Sequence, residues 1–227
     1  MSINDDYYKE HYSSVLNTGI IGKVSSLTHR SLERGFNKNS HYSRVLELGA
    51  GGGQHFEFVK HSYDEYLQSD IRIENLLVKS KTIDGKLSNL ALDASNLDLI
   101  ESDSIDRVIA TCLLAHLKDS LGSLYEWRRV VRNDGKISIY VPCEPGGLLR
   151  IARALSTARK AAKYVDRPLI RHYVEHCNYY LGMRAAISTV FADDVIQSKT
   201  YPFKFLSWNF NLWKVYTITL RKSDPQN

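Results

Sequence analysis

Long hydrophobic runs are missing from this chain, so nothing in it approaches the roughly 20 consecutive apolar residues that a membrane-spanning helix needs. Cysteine is scarce. Cys112, Cys143 and Cys177 are odd in number, scattered and without a C-x-x-C pair, which argues against a disulfide framework and predicts reduced, mostly buried thiols. The opening stretch MSINDDYYKE lacks the basic and apolar regions of a signal peptide, and a cytoplasmic location is the expectation. Internal repeats and low-complexity segments are also lacking. What is present is ordinary globular composition, 43% hydrophobic and 24% charged over 227 residues, enough for a single α/β domain with a full core. The net charge of +5 is modest and favours an anionic partner without specifying one.

The most informative stretch is Ser43 to Lys60, SRVLELGAGGGQHFEFVK. Val45, Leu46 and Leu48 suit a strand buried on both faces. Four glycines then fall within five positions, at Gly49, Gly51, Gly52 and Gly53. Phe56 and Val59 resume an apolar pattern that predicts a helix. Glycines permit close backbone approach, and a helix N-terminus offers unpaired N–H groups, so the loop reads as a nucleotide or nucleoside site. The dinucleotide pattern G-x-G-x-x-G would require glycine at position 54, where Gln54 stands.

The spacing present is E-x-G-x-G-x-G, from Glu47 through Gly49 and Gly51 to Gly53. It resembles the first motif of the class I S-adenosylmethionine-dependent methyltransferases, whose cofactor carries a cationic amino acid end and no pyrophosphate. The resemblance runs from about Arg44 to Val141. It implies a Rossmann-like doubly wound seven-stranded sheet, mostly parallel with an antiparallel last strand, and S-adenosyl-L-methionine as cofactor. A second strand ends at Asp70, seventeen positions beyond Gly53, where an acid can take both ribose hydroxyls, with Ile71 beside it. A third strand ends in Asp93-Ala94, matching the family's adenine-contacting dipeptide; an Asp here also suits a helix cap. The fourth strand, Ile105 to Thr111, begins near Asp106 and leads to His116, as in the family's fourth motif. Thr111 lies at its carboxyl end, where ligands of open sheets bind.

Around this core we expect four parts of one domain: a helical lid over 1–40, the cofactor core over 41–141, a helical insertion forming the acceptor region over 142–190, and a strand hairpin over 191–227. The lid includes an aromatic helix from Asn4 to Leu16 and a second helix from Ile20 to Leu32. Ser120 to Val131 reads as an amphipathic helix with Leu121, Leu124, Tyr125, Trp127 and Val131 inward, and Asn133-Asp134-Gly135 as the turn into the fifth strand. The segment Leu148 to Ile170 interleaves apolar and basic residues, so a solvated helix flank, an anionic ligand and peripheral membrane contact through 148–171 all stand open.

His172, His176 and Tyr180 fall at i, i+4 and i+8 and would share a helical face. His172 and His176 lack an evident third ligand, so no metal is expected. With His116 they are the candidate bases or acceptor contacts. The expected activity is methyl transfer to an oxygen or nitrogen of a small-molecule, sugar or lipid-linked acceptor, with no nucleic acid expected as partner. An RNA or protein methyltransferase and a non-catalytic nucleoside-binding subunit are the alternatives.

Overall fold

The computed structural model describes residues 19–72, 85–164 and 166–222, and in them one seven-stranded sheet is formed. Its strands are β1 (His41–Leu48), β2 (Ser62–Asp70), β3 (Lys86–Ala91), β4 (Ile105–Ala110), β5 (Val131–Pro142), β6 (Val195–Tyr201) and β7 (Trp213–Thr219). They lie in the order β3-β2-β1-β4-β5-β7-β6. Parallel pairing joins β1 to β2 and β4, β2 to β3, and β4 to β5, while β7 runs antiparallel to β5 and β6. This is the expected Rossmann-like sheet. The chain winds outward from β1 to β3 and then returns to β4, so the carboxyl ends of β1 and β4 flank the point where ligands of open sheets bind.

Helices cover both faces. They are α1 (Gly19–Leu32), α2 (Ser120–Val130), α3 (Gly147–Leu155), α4 (Thr157–Ala161), α5 (Pro168–Glu175) and α6 (Tyr180–Val190). On one face Leu124, Trp127 and Val130 of α2, with Met183, Ile187 and Val190 of α6, close over Leu46, Leu48, Val108 and Ile137. On the other, Leu32 of α1 packs with Trp213 and Val215. The indole N–H of Trp213 donates to Ser31 Oγ at 3.1 Å. The aromatic segment from Asn4 to Leu16, expected as part of a lid, lies outside the described residues.

Three local expectations are corrected. The helix predicted after the glycine loop is only a 3-10 turn, His55–Phe58. The connection from β1 to β2 spans 13 residues, 49–61, close to the shortest crossover between parallel strands, and the glycine loop uses the first of them. On α2, Leu121 and Tyr125 are 42% and 51% exposed, whereas Ser123, Leu124, Trp127 and Val130 turn inward. Asn133-Asp134-Gly135 lies inside β5. Ile105 pairs with Val131 but Arg107 with Lys136, so the three residues bulge out of the ladder, with Asp134 at φ 59°.

A buried ionic clamp ties α1 to the middle of the sheet. Arg107 on β4, 0% exposed, grips Glu33 with Nη1 at 3.1 Å from Oε2 and Nη2 at 2.7 Å from Oε1. Its guanidinium lies 3.5 Å from the centre of the Phe36 ring. His55 Nε2, in the 3-10 turn, is 3.0 Å from Glu33 Oε1. Burial alone would raise the Glu33 carboxyl, but Arg107 and His55 hold it well below the usual carboxylate range.

Candidate active site

The glycine loop turns sharply because Gly49, Gly51 and Gly53 adopt φ of 62°, 56° and 70°, the left-handed region that side chains disfavour. A Cβ on Gly49 would come within 2.7 Å of Leu113, whereas one on Gly51 would meet nothing within 4 Å and project into open space. Asp70 braces this turn. Its Oδ2 accepts from the Gly51 N–H and its Oδ1 from the Arg72 N–H, each at 2.9 Å. Beneath the loop Glu47 is 1% exposed and accepts from the Tyr66 hydroxyl at 2.9 Å. Burial pushes its carboxyl upward, partly offset by His55 and Tyr66.

Register brings the predicted cofactor residues to adjacent strand ends. Leu48 pairs with Ser69 and Ala110, and Asp70 pairs with Ala91, so Gly49, Asp70, Asp93 and Thr111 each follow or end a neighbouring strand. Asp93 caps a turn rather than a helix. Its Oδ1 accepts from the Ser95 N–H at 2.9 Å and from the Ser95 hydroxyl at 2.7 Å, which lowers its pKa. Ala94 is held by Trp127, whose indole N–H donates to the Ala94 carbonyl at 2.8 Å. Ile71 stands 70% exposed beside Asp70. Thr111 Oγ1 is buried with no hydrogen-bond partner among the described residues, a polar atom at the end of β4 that a bound group would satisfy.

Next to this row lies a second cluster, built on the end of β5. Glu144 is 0% exposed, and its two oxygens collect three side chains. His172 Nε2 lies 2.6 Å from Oε1 and His176 Nδ1 lies 2.5 Å from Oε2. The guanidinium of Arg153, from α3, also donates to Oε1. The His176 ring centre is 3.8 Å from that of His172 and 4.4 Å from that of His116. All three candidate histidines therefore meet.

The shared helical face does not form as expected. Helix α5 stops at Glu175, because Asn178 is drawn onto the segment after β4: its N–H donates to Ala115 O at 3.1 Å and its side chain to Leu114 O at 3.0 Å. The Tyr180 N–H then donates to Glu144 O at 2.8 Å, and the Tyr180 ring stacks on Trp208 at 5.2 Å, away from the histidines.

Sequence reasoning missed Glu144 and Arg153. An acid in the P-C-E-P-G-G turn at the carboxyl end of β5 was the available signal, while Arg153 was visible only as one basic residue of an amphipathic helix. Among the described residues two groups bring three metal-ligating atoms within 4.8 Å of one another, Glu144 with His172 and His176, and Cys112 with His116 and His176. Arg153 already supplies a permanent cation to the Glu144 carboxylate, so the cluster is arranged as an ion-paired hub. Burial and the nearby Arg153 charge push His172 down to about 4. Burial first, then the neighbouring His116 and His172, lowers His176 as well. Both rings are neutral at neutral pH, since further cations around one buried carboxylate would lack counter-charge.

Sheet order, the glycine turn and the acids at successive strand ends define a Rossmann-like nucleoside-binding enzyme core. Residues 46–139 match the family model of a methyltransferase domain. Over that segment, 94 of the 227 residues, the chain is similar to the S-adenosylmethionine-dependent methyltransferases. It is an enzyme, and S-adenosylmethionine is its methyl donor.

No curated protein sequence matches it significantly. Solved structures share the fold at low identity. A chain of the complex between the Trm112 methyltransferase activator of Haloferax volcanii and its methyltransferase is 13% identical, with TM-score 0.61, over 96% of this chain and 99% of that one. The plantazolicin methyltransferase BpumL, bound to S-adenosylhomocysteine and a monoazolic desmethyl analogue of plantazolicin, is 12% identical, with TM-score 0.59, over 95% and 88%. The CurJ carbon methyltransferase is 14% identical, with TM-score 0.56, over 91% of this chain, which spans only 57% of that one.

Proposed function

We propose that this enzyme methylates a hydroxyl oxygen of a small-molecule, sugar or lipid-linked acceptor, with His176 as the general base. The observation that carries the reading is the contact between Glu144 Oε2 and His176 Nδ1 at 2.5 Å. A carboxylate at Nδ1 fixes the tautomer that keeps its proton there and leaves the lone pair on Nε2. The ring itself lies beside His116, 4.4 Å between centres, and shares a group of ligating atoms with His116 and Cys112. The neutral ring keeps a lone pair available to an acceptor hydroxyl.

S-Adenosylmethionine supplies a methyl group on a positively charged sulfur. In the reading proposed here Asp70 takes the ribose hydroxyls and holds the glycine loop, Asp93 and Ala94 meet the adenine, and Gly51 leaves room for the cofactor's approach. Thr111 Oγ1 and the backbone at Gly49 and Gly53 line the amino acid end, and Ile71 flanks the nucleoside. Glu47, buried under the loop, contributes negative potential and support. S-Adenosylmethionine held there would supply the methyl group, the acceptor hydroxyl would give its proton to His176, and Glu144 would hold the imidazole in orientation through Nδ1. His172 and Arg153 hold Glu144 in place, while His116 walls the same space. Alignment of acceptor and methyl group in this cleft would supply much of the rate.

The test is a mass-spectrometric screen of extracts and hydroxylated compounds for products that gain one methyl group. On an acceptor so found, His176→Ala and Glu144→Gln should each lower turnover by about a hundredfold, the range general bases supply, with calorimetric affinity for S-adenosylmethionine nearly unchanged. Full turnover in both variants would falsify the base assignment.

A further inference from the structure

The loop after β6, residues 202–210, carries apolar side chains where water should reject them. Phe205 is 99% exposed, Phe210 55%, and Phe203 and Leu206 49% each. The loop is nevertheless fixed from inside. Asn211, 0% exposed, donates through Nδ2 to Leu206 O at 3.1 Å and Ser207 O at 3.0 Å, and its Oδ1 accepts from the Phe203 N–H at 2.7 Å. A brace of this kind presents the aromatic rings outward in a set geometry.

Neighbouring elements continue the surface. The Gly147 N–H at the start of α3 donates to Asn209 Oδ1 at 2.7 Å, joining that helix to the loop. Helix α3 buries none of its residues, and Ile151 and Leu155, one turn apart, are 60% and 65% exposed. On α5, which meets α3 at Glu144, Ile170 and Val174 are 58% and 69% exposed. The same segments carry exposed basic residues: Arg150, Arg159, Lys163, Arg167 and Lys204. Asp166 is the only acid between residues 145 and 171, and there is none from 202 to 212.

We infer that this face docks onto an anionic lipid surface, with Phe203, Phe205, Leu206 and Phe210 seated at the headgroup boundary and the basic residues paired with lipid phosphates. Aromatic and aliphatic side chains ringed by Lys and Arg are what an interfacial contact requires. A second copy of the chain fits poorly, because a two-fold contact would press the same cations against one another. The inference rests on the acceptor region proposed above and deepens it. Arg153 and His172, on the two helices of this face, grip the Glu144 carboxylate, so a docked enzyme opens its acceptor mouth toward the bilayer, and the acceptor is lipid-anchored.

Flotation with vesicles of phosphatidylcholine, alone and mixed with phosphatidylglycerol, tests it. The protein should float with the mixed vesicles, less so at high salt, and only weakly with phosphatidylcholine alone. Phe205→Ser should weaken partitioning about tenfold, as expected for one phenylalanine leaving an apolar environment. Arg159→Glu and Lys163→Glu should each weaken it about fivefold or more. No flotation with the mixed vesicles overturns the inference. So does a dimer in light scattering that Phe205→Ser dissolves, since a second copy would then cover the face. Cofactor affinity, measured on the same preparations, reads the catalytic core independently; failed flotation with intact cofactor binding strikes the surface alone.

Discussion

Removing the Asp70 carboxylate separates a passive loop acid from one that organises the methyl-donor site. In the folded chain it accepts two backbone hydrogen bonds at 2.9 Å, from Gly51 and Arg72, and sits half-buried at the end of β2. A hydrogen bond to a charged group contributes about 1.5–3 kcal/mol, and partial exposure places each of these near the lower figure. Asp70→Ala therefore frees the Gly51 N–H that shapes the loop and, in the proposed role, also removes the acceptor for the ribose hydroxyls. The two losses together come to about 3 kcal/mol, or roughly a hundredfold in Kd. Asp70→Asn keeps one acceptor oxygen and should fall between Asp70→Ala and the parent. Titration calorimetry with S-adenosylmethionine and S-adenosylhomocysteine measures the effect, and thermal unfolding of the same samples reports the loop's share. An affinity equal to the parent's in Asp70→Ala would refute the role, and a lowered Tm with unchanged affinity would leave Asp70 as a brace only.

Acid should destabilise the fold before its carboxylates titrate. Burial, with the Arg107 charge second, pushes His61 down to about 4, so the folded state favours the neutral ring; stability is complete above the unfolded value of 6.5 and is lost as pH falls from there toward 4. By about pH 5 that one ring costs roughly 2 kcal/mol, and urea unfolding should show a shallower pH dependence in His61→Phe. Gly51→Leu should fold, since its Cβ meets no neighbour, but abolish cofactor binding; calorimetry showing parental affinity would place the cofactor elsewhere. A modest loss of stability from the left-handed φ, about 1–2 kcal/mol, should accompany it.

The parts legible in the sequence are those in which the signal and the structure are local. Val45, Leu46 and Leu48 announced β1, the glycine spacing separated the cofactor class at Gln54, and the acids at 70 and 93 could be placed because each ends or follows a predicted strand. The clusters were not legible because their members are far apart in the chain. Glu144 meets His172 and His176 across 28 and 32 residues, and Glu33 meets Arg107 across 74. Helical spacing put His172, His176 and Tyr180 on one face, yet tertiary hydrogen bonds at Asn178 and Tyr180 outweighed local propensity. Periodicity also placed Leu121 and Tyr125 inward on α2, where a packing face centred on Leu124 and Trp127 left them at the flank.

The abbreviated crossover after β1 has a mechanical consequence. With no full helix of its own, the glycine loop leans through His55 onto Glu33, and through Glu33 onto Arg107. Glu33 stands at the end of α1, so the stiffness of the glycine loop is borrowed from a helix that precedes the sheet in sequence and has no part in the row of strand ends. Loosening α1 would be felt at Gly49 to Gly53 as a softer cradle, while the strands that carry Asp70, Asp93 and Thr111 kept their register.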